Sequence, residues 1–136
     1  MDKAIIVADD SMIIRNIIEK ALSDEYVVLK AGNGKEALKH ITDKKYEIVG
    51  MLLDLNMPES DGFTVLNYFK NNNLFKKYPI VIISGDDTSE TINRAFTYDI
   101  VDMLNKPFTG DKIKSMVERM ISLKNWNFTN SEVFFV

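Results

Sequence analysis

The amino-acid sequence predicts an α/β domain with a doubly wound parallel sheet of five strands and five helices. Three observations predict it. Apolar runs at residues 4–8, 48–53 and 80–83 are rich in Val, Ile and Leu and do not alternate, as strands covered on both faces read. Two further short runs, at 26–30 and 100–104, complete a set of five. Segments of helical period separate them, and a regular βα alternation implies right-handed crossovers onto both faces of one sheet.

The elements follow in order. Residues 4–8, "AIIVA", form the first strand, and residues 12–22 the first helix, with Ile13, Ile14, Ile17, Ile18 and Ala21 expected on its buried face opposite Arg15, Asn16, Glu19 and Lys20. After the second strand, "NGKEALKHI" opens a helix at Gly34, in which His40 reads as an exposed residue. The third strand ends in "LLDLNMP", and a helix is expected to open after Pro58. The fourth strand is followed by "GDDTSETINRAF", where Asp87 and Glu90 have the spacing of a capping box. In the last helix Ile113, Met116, Val117, Met120 and Ile121 make an i, i+3, i+4, i+7, i+8 stripe. That pattern stops near Leu123, so the reading divides the chain into a domain at 1–123 and a separate tail at 124–136.

Composition narrows the function. With 136 residues the chain suits one domain with a real core, and a net charge of −3 without a basic cluster argues against direct nucleic-acid binding. No cysteine and one histidine exclude zinc, iron–sulfur and thiol chemistry, so any metal must use oxygen ligands. No apolar run approaches the roughly 20 residues of a membrane span, and the N-terminus lacks a signal-peptide pattern. A cytoplasmic location is therefore expected.

In an open parallel sheet, ligands gather at the carboxyl ends of the strands. The residues there are Asp9 and Asp10 after the first strand, Asp54 at the end of the third, Ser84 and Gly85 after the fourth, and Lys106 and Pro107 after the fifth. Each alone has a plain reading: "DD" as a cap or solvated turn, Asp54 as a strand-end acid, Ser84-Gly85 as loop punctuation, Lys106 as a surface lysine. Together they describe one chemistry. Three neighbouring carboxylates repel, and Mg²⁺ relieves them. A carboxylate beside Mg²⁺, flanked by an ammonium and a hydroxyl, is equipped to accept a phosphoryl group.

"VADDS", "LLDLNMPESDG", "IVIISG" and "NKPF", in that order over residues 1–123, resemble the receiver domains of two-component response regulators, the stand-alone chemotaxis-type receivers among them. The resemblance implies a flavodoxin-like fold with strand order 2-1-3-4-5. It implies that Asp54 is the phosphoacceptor and that Mg²⁺ is held by Asp10 directly, Asp9 partly through water, Asp54, and the backbone carbonyl of Asn56. Ser84 and Lys106 are implied to meet the phosphoryl oxygens, with a cis Lys106–Pro107 bond. The implied phosphodonor is a sensor histidine kinase or a histidine phosphotransfer protein, and the implied output is a switched face for a downstream protein. Such a protein catalyses only its own phosphorylation and dephosphorylation.

The chain departs from the family pattern at several positions. Met103 stands where Tyr or Phe is common, Asp99-Ile100 replaces a Gly-Ala pair, Gly85 replaces Ala, and Ser60 stands where Met is common. A Mg²⁺-dependent phosphohydrolase also uses a strand-end aspartate, but it places a second acid two residues later, where this chain has Asn56. A receiver reduced to a binding module would have lost an acid or the lysine, and all are kept. In the tail, Trp126, Phe128, Val133, Phe134, Phe135 and Val136 fit folding back over the domain, an exposed stub, dimer or partner contact, or the start of a linker.

Overall fold

The structure, a computed structural model, describes residues 1–58 and 61–134. Five strands form one parallel sheet: β1 (Lys3–Ala8), β2 (Val27–Ala31), β3 (Glu47–Asp54), β4 (Ile80–Ser84) and β5 (Asp102–Asn105), in the order β2-β1-β3-β4-β5. The helices are α1 (Met12–Leu22), α2 (Gly34–Ile41), α3 (Gly62–Asn71), α4 (Ser89–Ala95) and α5 (Gly110–Phe134). This is the flavodoxin-like arrangement expected from the sequence.

The non-alternating runs are explained by which core each residue enters. Along β1, Ile5 and Val7 pack with Ile18, Leu22, Ile113, Val117 and Met120 under α1 and α5. Ile6 and Ala8 point the other way, among Val65, Leu66 and Phe69 of α3 and Ala37 of α2. Every residue from Ala4 to Ala8 is fully buried, so each apolar side chain contributes about 1–3 kcal/mol on one face or the other. Gly50 on β3 lets α5 approach closely: a Cβ there would lie 2.4 Å from Met120 Cε and 3.1 Å from the Pro79 carbonyl oxygen.

Helix starts are fixed by side-chain caps. Ser11 accepts from the Ile14 amide at α1, Asn33 from Glu36 at α2, and Asp61 from Thr64 at α3. The α3 start therefore lies at Asp61, three residues beyond Pro58. At α4 the cap is Thr88, which accepts from the Thr91 amide, and Asp87 takes no part in it. Strand β5 begins at Asp102 rather than residue 100, because the preceding residues are still completing the loop from α4.

Two other sequence expectations change. On α1, Ile18 and Leu22 are buried and Ile14 is half-buried, but Met12, Ile13 and Ile17 are 64, 73 and 41 % exposed. The helix carries two adjacent apolar stripes and lies on the sheet with only one of them. Helix α5 does not stop near Leu123; its backbone remains helical to Phe134. Ser60 and the apolar side chains of the tail, Trp126 to Val136, lie outside the described residues. Among the described residues, no helix is long and apolar enough to cross a membrane.

Candidate functional site

Register brings the acids together. Ala8 on β1 pairs with Leu53 on β3, so the next residues, Asp9 and Asp54, leave the sheet side by side. Asp54 in turn pairs with Ile83, and Ser84 with Asn105, which sets Lys106 one residue beyond the same edge. The Lys106 amide donates to the Ser84 carbonyl at 2.8 Å, and the Asp9 amide to the Ala31 carbonyl at 3.0 Å, continuing the sheet's pairing past its ends. The Lys106–Pro107 peptide is cis.

The side chains converge. A carboxylate oxygen from each of Asp9, Asp10 and Asp54 lies within 4.8 Å of the others. Asp9 is fully buried and Asp54 is 3 % exposed, whereas Asp10 faces solvent. Lys106 Nζ stands 2.7 Å from Asp9 Oδ2 and 3.4 Å from Asp54 Oδ2, one ammonium shared by two buried carboxylates. The contact with Asp9 is ionic and poorly aligned for hydrogen bonding, leaving Asp9 Oδ2 without a hydrogen-bond donor. Asp9 Oδ1 accepts from the Ser11 amide at 2.9 Å, and Asp54 Oδ1 from the Asn56 amide at 3.3 Å.

These surroundings shift protonation. Burial raises the Asp54 pKa, the Asp9 charge raises it further, and Lys106 opposes both without cancelling them. For Lys106, burial acts to lower the pKa, but the close ionic contact with Asp9 and the charge and hydrogen bond of Asp54 outweigh burial and leave it raised. The pocket holds more negative charge than one lysine neutralises.

A hard divalent cation fits this donor set. Three carboxylates converge, one buried oxygen lacks a hydrogen-bond donor, and only oxygen ligands are offered. Asp9, Asp10 and Asp54 would hold it. Asn56 lies exposed two residues past Asp54.

Ser84 is fully buried at the end of β4. Its hydroxyl accepts from the Asp86 amide at 3.0 Å and donates to the Asp86 carbonyl at 3.3 Å. Beside it Gly85 is open, with nothing within 4 Å of where a Cβ would stand. Two features escaped the sequence reading. Arg15 Nη1 donates to the Asp9 carbonyl at 2.8 Å, bracing the acidic turn from α1. Gly62 packs so tightly under the site that a Cβ would lie 2.4 Å from the Asp54 carbonyl oxygen. The "DG" pair at Asp61-Gly62 was the signal available for the second; for Arg15 only its charge on an apolar helix hinted at it.

A doubly wound parallel sheet with three acids, a hydroxyl and a lysine at one edge defines a class of acid-pocket α/β domains. The chain belongs to the response regulator receiver domain family of two-component systems, whose model matches residues 5–118. It is 34 % identical over 116 residues to the putative response regulator NtrX-like protein of Rickettsia bellii, covering 85 % of this chain and 24 % of that protein. It is 28 % identical over 116 residues to the probable chemotaxis protein CheY of Rhizobium etli, covering 84 % and 88 %. The crystal structure of chemotaxis response regulator CheY4 of Vibrio cholerae superposes with a TM-score of 0.75 at 26 % identity, covering 88 % of this chain and 98 % of that one. The chain thus spans about a quarter of the length of the NtrX-like relatives and most of the length of the CheY proteins.

Proposed function

We propose that the protein is a phosphorylation-activated signalling receiver that takes a phosphoryl group onto Asp54 from the phosphohistidine of a sensor histidine kinase or phosphotransfer protein. The observation that carries this reading is the placement of Asp54: a buried carboxylate at the sheet edge, within 4.8 Å of two further acids and 3.4 Å from Lys106. In the reaction an Asp54 carboxylate oxygen attacks phosphorus, the bond from phosphorus to the donor imidazole nitrogen breaks, and the electron pair leaves with the imidazole. Lys106 stays charged and moves onto a phosphoryl oxygen, while Ser84 donates to another. Asp9, Asp10, Asp54 and the Asn56 carbonyl would hold Mg²⁺, which would supply the remaining positive charge.

The chain's catalysis is confined to gaining and losing its own phosphoryl group. The product charge at the sheet edge biases the loops after β4 and β5, changing a face read by a downstream protein or a second copy of the chain. A cytoplasmic setting suits this chemistry.

The experiment is incubation with acetyl phosphate and Mg²⁺, followed by intact mass. One added phosphoryl group is expected for the unaltered chain and none for Asp54→Asn. An unaltered chain that stays unmodified with metal present overturns the reading.

A further inference from the structure

The loop between β4 and α4 is closed on itself by hydrogen bonds. Ser84 Oγ is held by both backbone groups of Asp86. The Asp86 carboxylate is held in turn: Oδ1 accepts from the Thr88 amide at 3.0 Å, and Oδ2 from the Thr91 hydroxyl at 2.8 Å, inside α4. These bonds, the Thr88 amide first, also hold its carboxyl below the usual aspartate range. A continuous chain therefore runs from the Ser84 hydroxyl through Asp86 to Thr91.

A serine hydroxyl has one proton to donate. While that proton is given to the Asp86 carbonyl, it is not available to an oxygen on Asp54. Meeting a phosphoryl group requires Ser84 to leave Asp86, and Asp86 is tied to α4. Met103 stands half-buried on β5, paired in register with Ile82 and packed against the core. The Asp86–Thr91 bond gives α4 a direct link to the Ser84 hydroxyl.

We propose that Asp86 is a positioning residue that parks the Ser84 hydroxyl in the unphosphorylated state and couples its release to α4 through Thr91. The proposal rests on Asp54 being the phosphoacceptor. Weakening the tether leaves the site chemistry intact but lowers the free-energy gap to the released arrangement, so ligands that need the released hydroxyl bind more tightly.

The test is Thr91→Val, which keeps the shape and removes only the donor, with Thr91→Ser as the restoring control. Two measurements are made on the full chain. Amide hydrogen exchange in the metal-free protein should quicken at Asp86 and Thr88 in Thr91→Val and return to the original rate in Thr91→Ser. Calorimetric titration with beryllofluoride and Mg²⁺ should show affinity about three- to tenfold higher in Thr91→Val, the loss of one ordinary hydrogen bond from the parked state. Unchanged exchange at Asp86 overturns the tether, and unchanged or weaker beryllofluoride binding overturns the coupling. If the unaltered chain binds no beryllofluoride while exchange responds as stated, the tether stands and the phosphoacceptor reading is what fails.

Discussion

Lys106 Nζ lies 2.7 Å from Asp9 Oδ2, joining the residue after the last strand to the residue after the first. Removing the cation leaves a fully buried carboxylate unpaired, with a second, Asp54, beside it. Lys106→Met is expected to destabilise the metal-free protein by about 1–3 kcal/mol, less than a fully buried pair because the lysine retains some solvent contact. Saturating Mg²⁺ should close most of that gap, since the ion supplies the charge the lysine gave. Denaturant unfolding with and without Mg²⁺ measures it, and a gap that Mg²⁺ leaves untouched counts against shared duty.

Burial, then the Asp9 charge, raises the Asp54 pKa. The folded protein therefore holds this proton more tightly than the unfolded chain does. Folding pays no penalty below the unfolded pKa, where both states are protonated; the penalty grows as pH rises from there and is complete above the folded value. Asp54→Asn removes it. The metal-free variant should be more stable than the unaltered chain at neutral pH. The two stability curves should converge as pH falls below about 4.

Asp9 and Asp10 should respond differently to removal. Both Asp9 oxygens are engaged, one by the Ser11 amide and one by Lys106, whereas Asp10 faces solvent. Asp10→Ala is expected to weaken Mg²⁺ binding at least about tenfold with little effect on metal-free stability. Asp9→Ala is expected to lower metal-free stability and to weaken Mg²⁺ binding less. Calorimetric Mg²⁺ titration alongside thermal melts separates the two, and equal losses of affinity contradict the division.

Glycines at the site are not equivalent. At Gly62 an added Cβ meets backbone, the Asp54 carbonyl oxygen at 2.4 Å and Leu55 Cα at 2.7 Å, neither of which can swing aside. Gly62→Ala should destabilise by about 1–3 kcal/mol and slow phosphorylation by displacing Asp54. Gly85→Ala meets nothing within 4 Å, so chemical denaturation should place it within about 0.5 kcal/mol of the unaltered protein.

On α1, Ile18→Ala is expected to destabilise by about 2–5 kcal/mol, the range for truncating a fully buried isoleucine. Ile13→Ala, at a 73 % exposed position, should change stability by no more than about 0.5 kcal/mol. Similar losses at both positions would place the wrong stripe against the sheet.

The sheet and its edge were legible because burial on two faces leaves unbroken apolar runs, and the residue after each run falls at the edge where sites form. What the sequence hid was orientation and partnership. Ile13 and Ile17 satisfy a helical period as well as Ile14 and Ile18 do, and only packing decides between them. Asp87 and Thr88 both suit a helix cap, and the choice followed from Asp86 accepting the Thr88 amide. The bracing of Asp9 by Arg15 and the bond from Thr91 to Asp86 each span only five or six residues, but they depend on the dihedral angles of one strand-to-helix turn, which no periodicity records. The continuation of α5 past Leu123 was missed because its apolar stripe ends there while its backbone does not.

The ion pair between Lys106 and Asp9 also has a consequence in time. A chain leaving the ribosome presents Asp9 and Asp10 first, Asp54 midway and Lys106 late, so the acids emerge well before their counter-charge. Until β5 docks beside β4, the edge formed by the first three strands carries its carboxylates without the lysine that pairs with them. The last strand then brings the charge that closes the pocket.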